Sequence, residues 1–408
     1  DEDGDYKAHN YAFVAGHIRN LLRIDPDAYV IVQMDMRTSE GWRAKHPGSS
    51  LITHTGSEAH ESFCAQSFRD EAESYVADLV RYVEKQPWQN RVVGYLVELA
   101  EPEGVLSGYE EGVGDYNPQA IAAFRQYLRG KYSSNEDLRR AYGDTSLTFE
   151  TIYPTYADIT ANGDQEGCFL HPVRQRLAID YHAFLSTLVP RVLSDHLAAT
   201  IKRMTDRRIL VGSYWGYMTH DLTFGGGFSH QMNHCDLPYI LKSPNLDFFA
   251  SPFSYSYPAR HAGEPPRVFQ TVGALRINGK LQIPECDHRT FRAGVTINGR
   301  NWSRADSVAV IRRDIGSALM HGSGAWLSDW TNNDKNDRRM TEPYFMDEQL
   351  LREVSQMRAA YQRTINEPRK QVAETAVLVS GPTHFYHDRN AGPIYSELVR
   401  KMLYTQIG

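Results

Sequence analysis

Short apolar runs alternate along the chain with longer segments of helical periodicity. Six runs rich in Val, Ile, Leu, Phe and Ala predict strands, at 29–36, 91–101, 208–215, 246–255, 280–285 and 324–330. Between most of them, apolar residues recur every three or four positions, as in 67–86, where Phe68, Val76 and Val83 share one predicted helix face. Short apolar strands separated by helices indicate a parallel sheet.

Turn and capping residues mark where the predicted helices begin and end. The helix at 117–132 opens with an Asn cap followed by Pro, and a shorter helix at 133–143 is closed by Gly143. A longer helix is predicted over 172–204, and a first helix over 9–24 has no predicted strand before it. A closed parallel barrel needs eight strands. We therefore predict an incomplete (β/α)8 TIM-type barrel of about six strands, N-terminally truncated, with its first two strands missing.

After the sixth predicted strand and its helix, a new strand-then-helix pattern begins. A helix over 343–366 is followed by the linker NEPRK, an apolar run at 375–380 and a final helical segment. This predicts two domains, a barrel at 1–366 and the beginning of a second α/β domain at 367–408.

Composition narrows the classes of partner. Of the 408 residues, 41% are hydrophobic and 23% are charged, as in an ordinary globular protein. The net charge of −6 provides no basic field for nucleic acid, and no apolar run is long enough to span a membrane. The 24 tyrosines suit either a carbohydrate-like ligand or a merely Tyr-rich surface. The four cysteines lack CxxC spacing and predict free thiols; they do not decide the compartment, for which the cytoplasm is the default.

The candidate chemistry lies where predicted strands end. Barrel enzymes build their active sites at the carboxyl ends of the strands. Three of the six strands end in conspicuous polar or aromatic side chains: Glu98, Glu101 and Glu103; Tyr255, Tyr257 and Arg260; and Glu285, Asp287, His288 and Arg289. An isolated Glu at such a position is most often a solvated loop residue. Two carboxylates from different strands, however, are what glycoside hydrolysis requires.

Other motifs point to less specific chemistry. His230 and His234 have the spacing of a helical metal pair but no intervening HExxH glutamate, and NNDKND at 332–337 lacks the central Gly of a calcium loop. The sequence contains no GxSxG elbow, P-loop or GxGxxG. We expect neither a metal nor a cofactor.

The order of these segments resembles clan A glycoside hydrolases, in particular the family 42 β-galactosidases and their uncharacterised relatives. The likeness rests on the order of RIDPDAYVIVQMDMRTSEGWRAKHPG, RVVGYLVELAEPEG, AFRQYLRGKYSSNEDLRRAYGD, SPFSY, GKLQIPECDHRT and VAETAVLVSG. It implies a retaining hydrolase for a β-linked, galactose-type sugar, a carbohydrate substrate and a homo-oligomer, trimeric in the full-length protein. VAETAVLVSG resembles the opening of the family's flavodoxin-like second domain.

By this resemblance, Glu101 is the acid/base and Glu285 the nucleophile. The family usually places Asn before the acid/base, but here Ala100 precedes Glu101 and Val97 precedes Glu98, so both glutamates stay open as candidates and the sugar is not fixed. The zinc-binding cysteine cluster of some members is absent. The candidate substrate-binding residues are Tyr255, Asp287, Arg289, Trp326, Trp330 and Trp215.

Each of these side chains has a structural alternative. Asp287 and His288 could cap the following loop, and tryptophans at a barrel end are often core residues. The missing Asn makes a non-catalytic carbohydrate-binding barrel the alternative to a glycosidase. A separation of roughly 5–5.5 Å between the carboxylates of Glu101 and Glu285 would favour the retaining enzyme.

Overall fold

The computed structural model of the chain describes residues 11–99, 114–161, 169–215, 234–254, 260–293, 299–329, 343–368, 370 and 372–388. The strands in these residues are β1 (Val30–Asp35), β2 (Ser50–Ile52), β3 (Glu58–Glu61), β4 (Val92–Glu98), β5 (Leu210–Tyr214), β6 (Phe248–Pro252), β7 (Leu281–Cys286) and β8 (Trp326–Leu327).

Helices separate most of the strands. They are α1 (Ala12–Ile24), α2 (Glu40–Lys45), α3 (Gln66–Val83), α4 (Pro118–Lys131), α5 (Asn135–Tyr142), α6 (Tyr156–Ile159), α7 (Arg176–Arg191), α8 (Ala199–Met204), α9 (Leu237–Lys242), α10 (Val272–Ile277), α11 (Arg304–Met320) and α12 (Glu348–Thr364), with a π-helix at Val192–Ala198 joining α7 to α8 and short 3-10 turns at Gln89–Arg91 and Gly381–Tyr386. Among the described residues, no helix combines the length and apolarity needed to cross a bilayer.

Six strands form one sheet in the order β1-β4-β5-β6-β7-β8, and β2 and β3 form a separate antiparallel hairpin. The pairs β1/β4, β4/β5 and β7/β8 are parallel. The prediction of an incomplete (β/α) barrel-type sheet of six strands is thus confirmed, and every predicted strand of the sheet is present near its expected position. The predicted ends were less accurate, because β4 stops at Glu98 and β8 has only two residues.

Contacts divide the chain into two compact units. The first comprises residues 1–214, 227–248 and 380–391, and includes the strands β1 to β5. Its helices are linked around one buried carboxylate: Asp180 on α7 accepts hydrogen bonds from Lys131, Tyr132, Tyr142 and Arg176 at 2.6–3.0 Å. This carboxylate therefore ties α7 to the end of α4 and to α5.

The second unit comprises residues 215–226, 249–379 and 392–408. One apolar cluster in it packs α11 against the start of α12 and consists of Ala293, Val308, Ile311, Tyr344, Phe345 and Leu350. Residues 372–380 form no strand, contrary to the expectation at 375–380, and the side chains of Val372 and Leu378 are exposed. A strand requires a partner for its backbone groups, and this segment has no ladder. The domain boundary at residue 366 stays a prediction.

Candidate active site

The carboxyl end of β7 carries a buried glutamate beside an aromatic ring. Glu285 is 7% exposed and is the register partner of Trp326 in the parallel strand β8. Register partners on neighbouring strands project from the same face of a sheet. The two side chains therefore leave the same face of the sheet from neighbouring positions, an arrangement in which a sugar can place its apolar face on the ring and its polar edge at the carboxylate.

Asp287 follows Glu285 by two residues and is held by two arginines. Arg260 donates to its Oδ1 at 2.6 Å, and Arg289 donates to its Oδ2 and, at 2.7 Å, to its backbone carbonyl. Burial alone raises the pKa of Asp287, but the guanidinium groups of Arg260 and Arg289 outweigh burial and hold that pKa below its ordinary value. The carboxylate is therefore ionised, and although its side chain is only 1% exposed, each of its oxygens accepts from an arginine.

Arg260 also fixes the backbone on both sides of this position. Its guanidinium donates to the carbonyls of Phe253 and Ser254, which follow β6, and to the carbonyl of Asp287. Gly299 packs on the arginine stem: a Cβ there would lie 2.8 Å from Arg260 Cδ, and the φ of +74° also favours glycine. Arg260 therefore fixes the ends of β6 and β7 to one another.

His288 turns away from Glu285 into a second buried ion-pair network. Its Nε2 contacts Asp314 on α11, and Arg313 donates to both oxygens of the same carboxylate at 2.6 and 2.8 Å. Burial raises the pKa of Asp314, but His288 and Arg313 together bring it below the usual range. The segment after Glu285 is thus anchored on one side by Arg260 and on the other by α11.

The carboxyl end of β4, in the first unit, also presents a buried carboxylate. Glu98 is 5% exposed and pairs in register with Asp35 of β1. The side-chain amide of Gln33 donates to Glu98 Oε2 at 2.5 Å, and Arg37 forms an ion pair with Asp35. The acid/base alternative to Glu101 is therefore a buried, hydrogen-bonded residue at a strand end.

The remaining predicted residues are placed as follows. Trp215 is 1% exposed, and its backbone bonds to Ala250 and Gln270, so its ring has the surroundings of a core residue. His234 is likewise buried. Other predicted residues lie outside the described residues, namely Glu101, Glu103, Tyr255, Tyr257, His230, Trp330 and the segment 332–337. Within the described part of the chain, no cluster of His, Cys, Asp or Glu could hold a metal ion, and the described cysteines are free, as predicted.

Sequence reasoning missed two features of this region. Arg260 stood out as a polar residue at a strand end, but its pairing with Asp287 joins positions far apart in sequence and left no local signal. Asp314 had a detectable signal: it lies three and four residues after Ile311 and Val310 on the buried face of α11. A charged residue on an apolar helix face requires a partner, and here Arg313 and His288 both serve as partners.

Comparison with known proteins adds the fold relationship. No protein-family profile and no curated protein matches the chain. Among solved structures, Gan42B, a GH42 β-galactosidase from G. stearothermophilus, has a TM-score of 0.60 at 14% identity over 93% of this chain and 53% of its own. The β-galactosidase of Bacillus circulans sp. alkalophilus has a TM-score of 0.58 at 16% identity, covering 97% of this chain and 57% of its own.

A third similar structure is the catalytic domain of the Paenibacillus polymyxa β-amylase, with a TM-score of 0.50 at 11% identity over 80% of this chain and 81% of its own. The resemblance to family 42 β-galactosidases and other glycoside hydrolases is therefore confirmed at the level of the fold. The chain spans about half the length of the β-galactosidases it resembles.

Proposed function

We propose that the chain is the catalytic part of a retaining glycosidase that cleaves a β-linked, galactose-type sugar. The observation that carries the proposal is the buried Glu285 at the carboxyl end of β7, in register with Trp326. In barrel enzymes this end of the strands is where catalytic groups lie. The glycosidase-like fold of the neighbouring structures supports the same reaction class.

In this mechanism Glu285 is the nucleophile. Its carboxylate attacks the anomeric carbon and displaces the leaving-group oxygen, which takes a proton from the acid/base, and a covalent glycosyl-enzyme forms. The acid/base, now ionised, deprotonates a water molecule, which attacks the same carbon and releases Glu285. Trp326 supports the apolar face of the sugar ring. Arg289 and Asp287 form an ion pair with one another. We therefore assign them to holding Glu285 in position and not to binding the sugar directly.

We assign the acid/base role to Glu101 by resemblance to the family. Glu98 is the alternative. One of its carboxylate oxygens already accepts the Gln33 amide, which leaves that oxygen engaged and makes Glu98 better suited to binding a sugar hydroxyl than to donating a proton. Azide rescue distinguishes the two residues. We expect Glu101→Ala to lose activity on poor leaving groups and to recover part of its rate on an activated aryl galactoside with azide; the same rescue in Glu98→Ala alone would reverse the assignment.

A 2-deoxy-2-fluoro aryl galactoside tests the nucleophile. We expect the 408-residue chain to accumulate a covalent adduct, which peptide mass spectrometry will locate on Glu285. Glu285→Gln should lower kcat by at least about a thousandfold, as expected when a group essential to the chemical step is lost. Exposed Glu348, paired with Arg352 on α12, gives the matched control, and Glu348→Gln should keep full activity.

Two outcomes would contradict this proposal. An adduct on a different carboxylate would move the nucleophile elsewhere. A chain that binds galactosides but neither forms the adduct nor hydrolyses any aryl galactoside would instead be a non-catalytic carbohydrate-binding barrel.

A further inference from the structure

Four aromatic side chains lie together in the first unit. His54 stacks on Tyr156 with ring centres 3.8 Å apart and planes inclined by 16°, and Tyr116 lies 6.2 Å from Tyr153. The Tyr116 N–H donates to the carbonyl of Ile52, two residues before His54, and Tyr153 is three residues from Tyr156, so the two ring pairs adjoin one another. We call these four residues the aromatic patch.

The patch differs from the other tyrosine clusters of this unit in its exposure and hydrogen bonding. Tyr153 is 46% exposed and Tyr156 37%. Within the described part of the chain, neither phenol oxygen makes a hydrogen bond. Two other tyrosines of this unit, by contrast, use their hydroxyls inside the protein: the half-buried Tyr132 donates to Asp180, and the buried Tyr181 donates to the Asp115 carbonyl. Tyr153 and Tyr156 therefore present ring surface, together with hydroxyl groups that bond to nothing else in the described part of the chain.

A chain of contacts places the patch beyond the carboxyl end of β1. Thr38, three residues after β1, donates through its backbone and its hydroxyl to Glu61 of β3. From Glu61 the strand runs to Glu58, about 10 Å at 3.4 Å per residue, and the turn beyond it carries His54. The other strand of the hairpin is fixed by Tyr116, whose backbone N–H donates to the Ile52 carbonyl at 2.9 Å.

The segment that fixes the hairpin follows β4, the strand ending at Glu98. Asp115 accepts hydrogen bonds from the Ser62 hydroxyl and from the backbone of Asn117, and Asn117 donates to the carbonyls of Gly48 and Ser50. The patch is thus supported by segments that leave the carboxyl ends of β1 and β4. These are the ends at which a barrel enzyme binds its substrate.

Aromatic rings with free hydroxyls suit carbohydrate, because the rings cover the apolar faces of pyranose units while the phenols bond to their hydroxyls. We propose that the aromatic patch is an outer binding site for a β-linked oligosaccharide, contacting sugar units beyond the one that is cleaved. A single sugar ring bound at the strand ends would not reach the patch, because β3 separates the two by about 10 Å. The patch should therefore contribute only to the binding of longer oligosaccharides. This inference extends the proposed glycosidase function.

The test compares a galactose chain with a small substrate. In the 408-residue chain, Tyr153→Ala and Tyr156→Ala should lower kcat/KM for β-1,4-galactotetraose by about three- to tenfold, the size of an aromatic stacking contribution. They should leave kcat/KM for an aryl β-galactoside within about twofold. Tyr29 is the matched control: it is 65% exposed but precedes β1, at the opposite end of the strand. Tyr29→Ala should change neither value.

A binding measurement keeps this inference separate from the proposed catalysis. Titration calorimetry with galactotetraose on the Glu285→Gln background does not depend on hydrolysis. We expect Tyr156→Ala on that background to raise Kd by about three- to tenfold, and Tyr29→Ala to leave it unchanged. Weaker binding with no hydrolysis by the parent chain would retain the site and remove the catalytic proposal. Equal Kd values for the Tyr156 and Tyr29 variants, or no binding of galactotetraose, would overturn the site.

Discussion

At the scale of single residues, the region after Glu285 depends on charges that are buried together. Asp287 and Arg260 are almost fully buried. Removing one partner of such a pair leaves the other charge without compensation in a poorly solvated place, which costs far more than the pair itself contributes. The surface pair of Asp78 and Arg81 remains in contact with water and should contribute little.

We therefore expect Asp287→Asn to lower the free energy of unfolding by about 3–5 kcal/mol. Asp78→Asn should lower it by less than about 1 kcal/mol. Urea unfolding followed by circular dichroism at neutral pH measures both changes. Similar small effects for the two variants would show that Arg260 and Arg289 are satisfied without the Asp287 carboxylate.

At the scale of elements, one glycine sets how closely strands can approach. A Cβ on Gly212 of β5 would lie 2.4 Å from the ring of Phe248 at the start of β6. Phe248 is completely buried, so its ring has no free space to enter. Gly16 in α1 has nothing within 4 Å of the same position. A side chain larger than hydrogen therefore has no room at Gly212 but fits at Gly16, and neither glycine has a positive φ.

Gly212→Ala should lower the free energy of unfolding by roughly 1–3 kcal/mol, the usual cost of overpacking a core. Gly16→Ala should raise it by about 0.5–1 kcal/mol, because alanine is the better helix residue. Thermal unfolding of both variants beside the parent chain provides the measurement. A stabilised Gly212→Ala protein would mean that Phe248 can move aside.

Patterns within one element were predictable, whereas pairings between distant elements were not. The apolar runs located all six strands of the sheet, and Asn117, Pro118 and Gly143 mark helix ends as expected. The apolar run at 375–380 was misread because strand propensity does not supply a pairing partner. Glu285 was predicted from its place at a strand end; the structure places it there, and its catalytic role stays a prediction. Trp215 is buried, which sequence could not show, and its proposed contact with substrate stays a prediction.

At the scale of the whole molecule, buried histidines make the stability of the fold depend on pH. They lie where residues 380–388 pack on the rest of the first unit. His182 on α7 contacts the Ile159 carbonyl at 3.1 Å, and the rings of His384 and His387 lie 5.2 Å apart. The Leu170 N–H donates to the Tyr386 carbonyl at 2.7 Å in the same region. Burial lowers the pKa of His182 to about 4, of His384 to about 4 and, with the neighbouring His384, of His387 to about 3.

These shifts fix the sign of the pH dependence. An unfolded histidine titrates near pH 6.5, so below that pH the unfolded chain binds protons that the folded chain excludes. Stability is then fully present above about pH 6.5 and falls as the pH drops toward the folded values, by on the order of 2 kcal/mol per histidine at pH 5. We expect urea midpoints to decline steeply from pH 7 to pH 5, and His384→Gln to flatten that decline. Exposed His17 on α1 is the control. If His17→Gln flattened the decline as much as His384→Gln, the buried histidines would not be its source.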